Sequence, residues 1–312
     1  MPTDRQMIPV SAAVRHSFRP AERIRVSEWA DRYRILTKES GAAEPGPWRT
    51  SRIPYAKEIM DAFCDPMIRE IDIIKSARVG MTECGNNMLA YAIDQDPGPC
   101  MYVYPDESAA KDECKNRLQP MIEQSPRLRE HIPHAGWATQ VDMNLRNSRI
   151  AMAWASSATT LIRRTFRYVF IDEIDNCQRQ AGALGEIIEL AKKRMLTYGQ
   201  RAKLVVYTSP TVVGAPAWSR WEACPDRRRY YVPCPLCGAY QVLAFDRIKI
   251  PPSERDPERI EFDSLARYQC IDCQGQIAYD AERGQKWMVA RGLWISGNSS
   301  AVCGSAGAKM LK

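Results

Sequence analysis

Short apolar runs interleaved with segments of helical spacing constrain this chain more than any other feature. Strands are expected over Glu70 to Ser76, Cys100 to Tyr104, Ser148 to Ala153, Arg167 to Ile171 and Lys203 to Thr208. Helices are expected over Ile53 to Phe63, Thr82 to Ile93, Glu107 to Glu123 and Leu184 to Met195, with a shorter piece over Val26 to Arg34. Strands alternating with helices of about ten residues or more predict an α/β fold, a mostly parallel sheet with helices on both faces. A chain of 312 residues has room for roughly two such units. Near 225 the pattern changes to short strands around paired cysteines. From Ile295 to Lys312 the composition falls to Ser, Gly and Ala, too poor in apolar residues to bury a core. The expected organisation is therefore an N-terminal extension (1–50), an α/β domain (51–224), a cysteine module (225–294) and a disordered tail (295–312).

Two strand ends carry the chemistry. After the first expected strand comes Lys75-Ser76-Ala77-Arg78-Val79-Gly80-Met81-Thr82. A standard phosphate loop, G-x-x-x-x-G-K-[ST], uses glycines for close backbone approach, a lysine for the phosphates and a hydroxyl for Mg²⁺. Gly80 and Thr82 fill the second glycine and hydroxyl positions. Met81 stands where the lysine belongs, so the cation must come from Lys75 or Arg78. The loop opens a helix whose N-terminus favours anions. Taken alone, the same octapeptide is also an ordinary strand-to-helix turn.

The second strand end, Tyr168-Val169-Phe170-Ile171-Asp172-Glu173, delivers two acids to the carboxyl edge of the sheet, where ligands bind in open α/β folds. Asp172 is the candidate for magnesium and Glu173 for polarising the attacking water. A solvated acidic turn, with Asp175 capping the next helix, is the alternative. A third strand closes on Thr208-Ser209-Pro210-Thr211, where Thr208 or Ser209 could contact the γ-phosphate or the lytic water; on this segment alone a capped strand-to-turn junction is the favoured alternative.

Eleven cysteines, an odd number, in a chain without a secretory signal argue against disulfides. Four make a pattern of their own: Cys234-Pro235-Leu236-Cys237-Gly238 and Cys270-Ile271-Asp272-Cys273. Two such knuckles suit a tetrahedral four-thiolate structural zinc, although the second has its glycine one place late, at Gly275. Cys64, Cys84, Cys100, Cys114, Cys177 and Cys224 read as isolated and mostly buried. Only three histidines occur, His16, His131 and His134, none near these motifs, which excludes most histidine-based hydrolases. No run of apolar residues is long enough to span a membrane, so a cytoplasmic location is expected. Basic clusters at Arg163-Arg164, Lys192-Lys193-Arg194 and Arg227-Arg228-Arg229 and a net charge of +7 suit a polyanionic partner, although each cluster is more often a solvated surface and so modest a charge discriminates poorly by itself.

In this order the segments resemble the large terminase subunit of lambda-like tailed phages, the GpA family. The resemblance runs through Val26-Ser27-Glu28-Trp29-Ala30-Asp31, Pro45-Gly46-Pro47-Trp48 and Pro54-Tyr55-Ala56-Lys57-Glu58-Ile59-Met60-Asp61. It continues through the lysine-first loop, the acidic strand, Thr208 to Thr211, and Tyr231-Val232-Pro233-Cys234-Pro235-Leu236-Cys237-Gly238. It implies a phage- or prophage-encoded, ATP-driven motor that moves double-stranded viral DNA into a procapsid. The implied partners are a small terminase subunit, a portal and further copies of the chain. On that resemblance Lys75, with Arg78, binds phosphate, Thr82 and Asp172 hold magnesium, Glu173 is catalytic, and Thr208 and Ser209 couple hydrolysis to DNA movement. The family's nuclease domain follows the cysteines; from Leu293 onward there is no Asp or Glu, so a copy without DNA cleavage is expected. A helicase-like ATPase and a non-catalytic binding remnant are the competing expectations.

Overall fold

The computed structural model describes residues 24–162, 164–181, 186–279 and 282–297. The first 23 residues, Arg163, Leu184 and the expected tail from 298 onward lie outside the described residues.

Helix α1 (Val26–Tyr33) leads into a two-stranded ribbon, β1 (Ile35–Leu36) against β2 (Gly46–Pro47), and then α2 (Ala56–Ala62). Trp29 and Trp48 are buried in the same apolar cluster as the central sheet, so this N-terminal stretch completes one face of the core. A continuous helix from Ile53 does not form. A 3₁₀ turn covers Thr50–Arg52, and α2 starts only at Ala56, past Pro54, since proline restricts the residue before it away from helical geometry.

The central sheet has six strands: β3 (Glu70–Ile74), β4 (Pro99–Tyr104), β5 (Asp142–Asn144), β6 (Arg149–Trp154), β7 (Tyr168–Asp172) and β8 (Lys203–Thr208), in the order β3-β8-β7-β4-β6-β5. All neighbours run parallel except β5, which pairs antiparallel with β6 at one edge. Side chains alternate across the sheet with period two. Tyr102, Phe170 and Tyr207 face one cluster, and Met101, Val103, Val169, Ile171, Leu204 and Val206 the other. On the first face lies α3 (Met81–Gln95), its Cys84, Met88, Leu89 and Ile93 fully buried. On the second lie α8 (Ile174–Ala181) and α9 (Ile187–Met195), which bury Ile174, Cys177, Ile187 and Ala191. The expected α/β architecture is therefore observed.

Between β4 and β5 the single helix expected over Glu107 to Glu123 is interrupted. It splits into α4 (Glu107–Glu113), a π turn at Cys114–Leu118 and α5 (Gln119–Gln124), followed by α6 (Pro126–Arg129). Pro120 explains the break: it lacks an N–H, and its ring displaces the carbonyl four residues back. A short α7 (Ala158–Ile162) follows β6, and α10 (Pro216–Ala223) follows β8.

Two small sheets complete the chain. The first has the order β10-β9-β14, from β9 (Arg229–Pro233), β10 (Tyr240–Gln241) and β14 (Leu293–Ile295). The second has the order β11-β12-β13, from β11 (Ile248–Lys249), β12 (Arg267–Gln269) and β13 (Gln276–Ala278). Helix α11 (Pro257–Phe262) precedes β12, and α12 (Gln285–Ala290) precedes β14. Ile295, expected to open the tail, pairs instead with Arg229 in this module.

Candidate active site

The loop joining β3 to α3 carries the lysine-first motif, and the register of the sheet decides what it meets. The N–H of Lys75 donates to the Thr208 carbonyl at 3.0 Å, which extends the β3–β8 pairing by one residue and sets Lys75 beside the end of β8. Its Nζ lies 3.1 Å from Glu173 Oε1 and 3.1 Å from Ser209 Oγ. Glu173 Oε2 accepts from the Thr208 hydroxyl at 3.3 Å. Three segments far apart in sequence thus converge on one lysine–glutamate pair, with the lysine side chain only 10% exposed.

Backbone strain concentrates at the same place. Arg78 (φ 59°), Gly80 (φ 79°) and Glu173 (φ 54°) all occupy the left-handed region. For the two residues other than glycine this costs about 1–2 kcal/mol each, a cost found mainly where surrounding structure and function require it. Gly80 forms the N-cap of α3. Glu173 is held in its turn by its N–H, which donates to the Tyr207 carbonyl at 2.9 Å. Of the two candidate cations, Lys75 faces the acids and Arg78 is exposed. Ser76 and Ala77 are also exposed, and Val79 is half-buried with its carbonyl accepting from the Tyr55 hydroxyl. Met81, in the place of the standard lysine, is 3% exposed and belongs to the apolar core.

Asp172 is buried at the tip of β7. Its Oδ2 accepts from the Thr82 hydroxyl at 3.4 Å, while Oδ1 is buried with no hydrogen-bond partner among the described residues. Burial, reinforced by the adjacent Glu173 charge and opposed by Lys75, pushes its carboxyl up to about 7. An orphaned buried carboxylate oxygen beside a threonine hydroxyl fits a hard divalent cation such as Mg²⁺, which takes oxygen ligands.

Several neighbours were not legible from sequence. Glu113 is buried against Arg117 (3.3 Å) and Asn86 (3.2 Å), and burial pushes its carboxyl up to about 7. Arg34, 2% exposed, reaches from the N-terminal stretch to Glu83 in the first turn of α3 at 2.7 Å. The Tyr104 hydroxyl, at the end of β4, is buried without a partner among the described residues. These residues sit on separate elements in no recognisable spacing. Asp175 carried a signal, but for the wrong helix: rather than capping α8, its carboxylate accepts from Thr211 and Ala217 across the sheet edge.

The four module cysteines meet as well. Cys234 and Cys273 Sγ are 3.9 Å apart, Cys237 and Cys270 Sγ 3.8 Å, and all four lie within 4.8 Å of one another. A tetrahedral zinc with bonds of about 2.3 Å sets its sulfurs about 3.8 Å apart, so the cluster fits that ion. Each knuckle turns through a left-handed residue directly after its second cysteine, Gly238 (φ 78°) and Gln274 (φ 58°). The glycine that comes one place late has its own reason. A Cβ on Gly275 would stand 2.4 Å from Leu236 Cδ1 of the opposite knuckle.

Comparison with known proteins identifies the family of the chain. The family profile described as phage terminase large subunit gpA, ATPase domain, matches residues 42–294. The terminase large subunit of Enterobacteria phage P21 is 26% identical over 280 residues, covering 86% of this chain and 42% of that protein. That of Escherichia phage lambda is 28% identical over 309 residues, covering 94% and 47%. The chain therefore spans less than half the length of these curated relatives. Among solved structures, the HK97 bacteriophage large terminase is similar at a TM-score of 0.47 and 15% identity, over 63% of this chain and 40% of that one. The Thermus phage P74-26 large terminase ATPase domain is similar at 0.40 and 13%, over 64% and 74%. With most of its length matched to one family profile, this chain belongs to the phage terminase large subunit gpA family, in the part that corresponds to the ATPase domain.

Proposed function

We propose that this chain hydrolyses ATP and that hydrolysis drives double-stranded viral DNA into a procapsid. One observation carries the reading: Lys75 stands within 3.1 Å of both Glu173 and Ser209, joining the phosphate loop, the acidic strand and the coupling strand at one sheet edge. In this proposal the loop from Lys75 to Thr82 wraps the triphosphate, its backbone N–H groups and the N-terminus of α3 facing the anion. Lys75 exchanges Glu173 for phosphate oxygen as nucleotide enters, because a triphosphate offers it more negative charge than one carboxylate. Glu173, released from the lysine but still held by Thr208, then accepts from the attacking water and orients it. Thr82 and Asp172 would hold magnesium. When bound there, the cation neutralises charge building on the β and γ oxygens. Thr208 and Ser209 would register loss of the γ-phosphate, a role supported by their hydrogen-bond contacts to Glu173 and Lys75.

The motor unit in this reading is residues 51–224 with 24–50 packed against it, followed by the module 225–294, whose four cysteines hold a structural zinc. Its partners would be duplex DNA, a small terminase subunit, a portal and further copies of the chain, in the host cytoplasm. Among the described residues no helix is long and apolar enough to cross a membrane.

The test is ATP turnover with and without duplex DNA, in the unaltered chain and in Glu173→Ala. DNA should stimulate the unaltered chain. The variant should bind nucleotide normally yet turn over at least about a hundredfold more slowly, on the order of 3 kcal/mol of barrier. Equal rates in the two proteins would leave the site without a catalytic role.

A further inference from the structure

Asp175 lies two residues beyond Glu173, in the first turn of α8, and is 2% exposed. Its Oδ2 accepts from the backbone N–H and from the hydroxyl of Thr211, each at 3.0 Å. Its Oδ1 accepts from the N–H of Ala217, near the start of α10, at 2.9 Å. Among the described residues, polar donors satisfy both carboxyl oxygens of this buried side chain, as buried polar groups generally are satisfied. All three donors come from the segment that follows β8. The carboxylate is therefore a staple between the acidic strand tip and the run from Thr208 into α10.

Both ends of that run are tied down. At its start, Thr208 and Ser209 touch Glu173 and Lys75. At its end, Arg220 of α10 binds Asp72 at 2.7 Å and Glu70 at 3.2 Å on the edge strand β3. Between the Thr211 and Ala217 contacts the chain bulges outward, with Val212 67% and Val213 80% exposed and Gly214 at φ 85°. We infer that Asp175 is a positioning residue that holds Thr208 and Ser209 against the Lys75–Glu173 pair and conveys any displacement there to the bare Val212–Gly214 loop. The hydrolytic part of this inference rests on the ATPase reading; the staple itself rests on the contacts.

Two substitutions separate this role from a merely structural one. Asp175→Asn puts an amide donor where N–H donors already point. Thr211→Val, at an exposed position, deletes one donor and leaves the backbone bond, and Thr211→Ser restores the hydroxyl. Full-length variants would be compared for affinity toward Mg²⁺ with a non-hydrolysable ATP analogue, for kcat and KM with and without duplex DNA, and for amide exchange over 208–217. Asp175→Asn should leave analogue affinity within about threefold and lower kcat by about tenfold or more, the pattern of a lost transition-state arrangement. Its 208–217 amides should exchange about tenfold faster and stop responding to the analogue. Thr211→Val should shift both readouts in the same direction by less, and Thr211→Ser should return them to the unaltered values. Unchanged kcat alongside faster exchange would overturn the inference, as would unchanged exchange. If the unaltered chain fails to hydrolyse ATP, the proposed function falls by itself. The exchange data then decide the staple: an analogue response present in the unaltered chain and lost in Asp175→Asn supports it, and the same response in both overturns it.

Discussion

Met81 marks how this site departs from a standard phosphate loop. A lysine there would emerge from the first turn of α3, but the methionine is 3% exposed and packed into the core. The lysine of this loop stands at its start, where the β3–β8 register aims Lys75 at Glu173 and leaves Arg78 exposed, and in the proposed function it supplies the positive charge. Lys75→Ala should therefore abolish the rise in melting temperature that magnesium and an ATP analogue produce in the unaltered chain. Arg78→Ala should keep most of it. A ligand at about a hundred times its Kd stabilises by about 2.7 kcal/mol, a shift easily seen by thermal denaturation. Glu113 makes a pH prediction. Burial, opposed by Arg117, raises its carboxyl in the folded chain to about 7, above the value of an unfolded glutamate. The folded state then binds the extra proton, so the cost is absent at low pH and grows as pH rises through about 4.5 to 7. Glu113→Gln carries no such cost. In divalent-free buffer its stability relative to the unaltered chain should improve between pH 5 and pH 8 by up to about 2–3 kcal/mol. Parallel stability curves would show that Glu113 does not take up that proton.

Helix α3 lies close on the sheet because Gly85 faces Tyr207. A Cβ at that position would stand 2.7 Å from the Tyr207 ring, itself fully buried and in hydroxyl contact with Tyr102. Gly85→Ala should cost about 1–3 kcal/mol in denaturant unfolding, the usual range for overpacking a core that cannot give way. Wild-type stability in that variant would mean the helix can lift off β8 freely. The same pairing shows what the sequence could disclose. Strands such as Leu204 to Tyr207 and Val169 to Ile171 are buried on both faces, so nearly every residue is apolar and the run stands out. Their carboxyl ends stood out too, because Asp172-Glu173 and Thr208-Ser209 interrupt those runs with polar groups. Local chemistry was harder to weigh: Pro120 lay in plain view within an otherwise regular helical pattern, yet the π turn that accommodates it did not. Least legible were pairings set by strand order. Nothing near Asp175 in sequence points to Thr211, and nothing near Glu83 points to Arg34. Each pair meets only because β7 lies beside β8, or because α1 and the ribbon after it fold back over α3.

At the scale of the molecule, two parts are held by different forces. The sheet and its helices bury two extensive apolar clusters, whereas among the described residues the cysteine module buries a small one, Val232, Cys234, Cys270, Ile277 and Met288, with Tyr230, Tyr268 and Trp287 packed against it. Both of its phenylalanines, Phe245 and Phe262, are exposed, at 89% and 90%, so apolar burial contributes little to its stability. It is anchored to the sheet domain at one end. Trp294 Nε1 donates to the Tyr55 carbonyl at 2.8 Å, Tyr230 packs between Tyr55 and Trp294, and Arg228 pairs with Glu58. A structural zinc in a thiolate site contributes on the order of 10 kcal/mol to folding, more than so small a core can replace. Extraction of metal with a strong chelator, or Cys237→Ser, should therefore unfold the knuckles and the β11–β13 sheet. Amide protection over 234–279 should disappear, while protection in β3, β4 and β6–β8 stays. Because Lys75, Asp172 and Glu173 are positioned by the central sheet, nucleotide affinity should survive that treatment nearly unchanged. Metal analysis of the untreated protein should find about one zinc per chain. If the knuckles kept their protection after complete metal removal, the four thiols would be packing groups and not ligands, and the anchoring contacts to Tyr55 and Glu58 would have to account for the module's order.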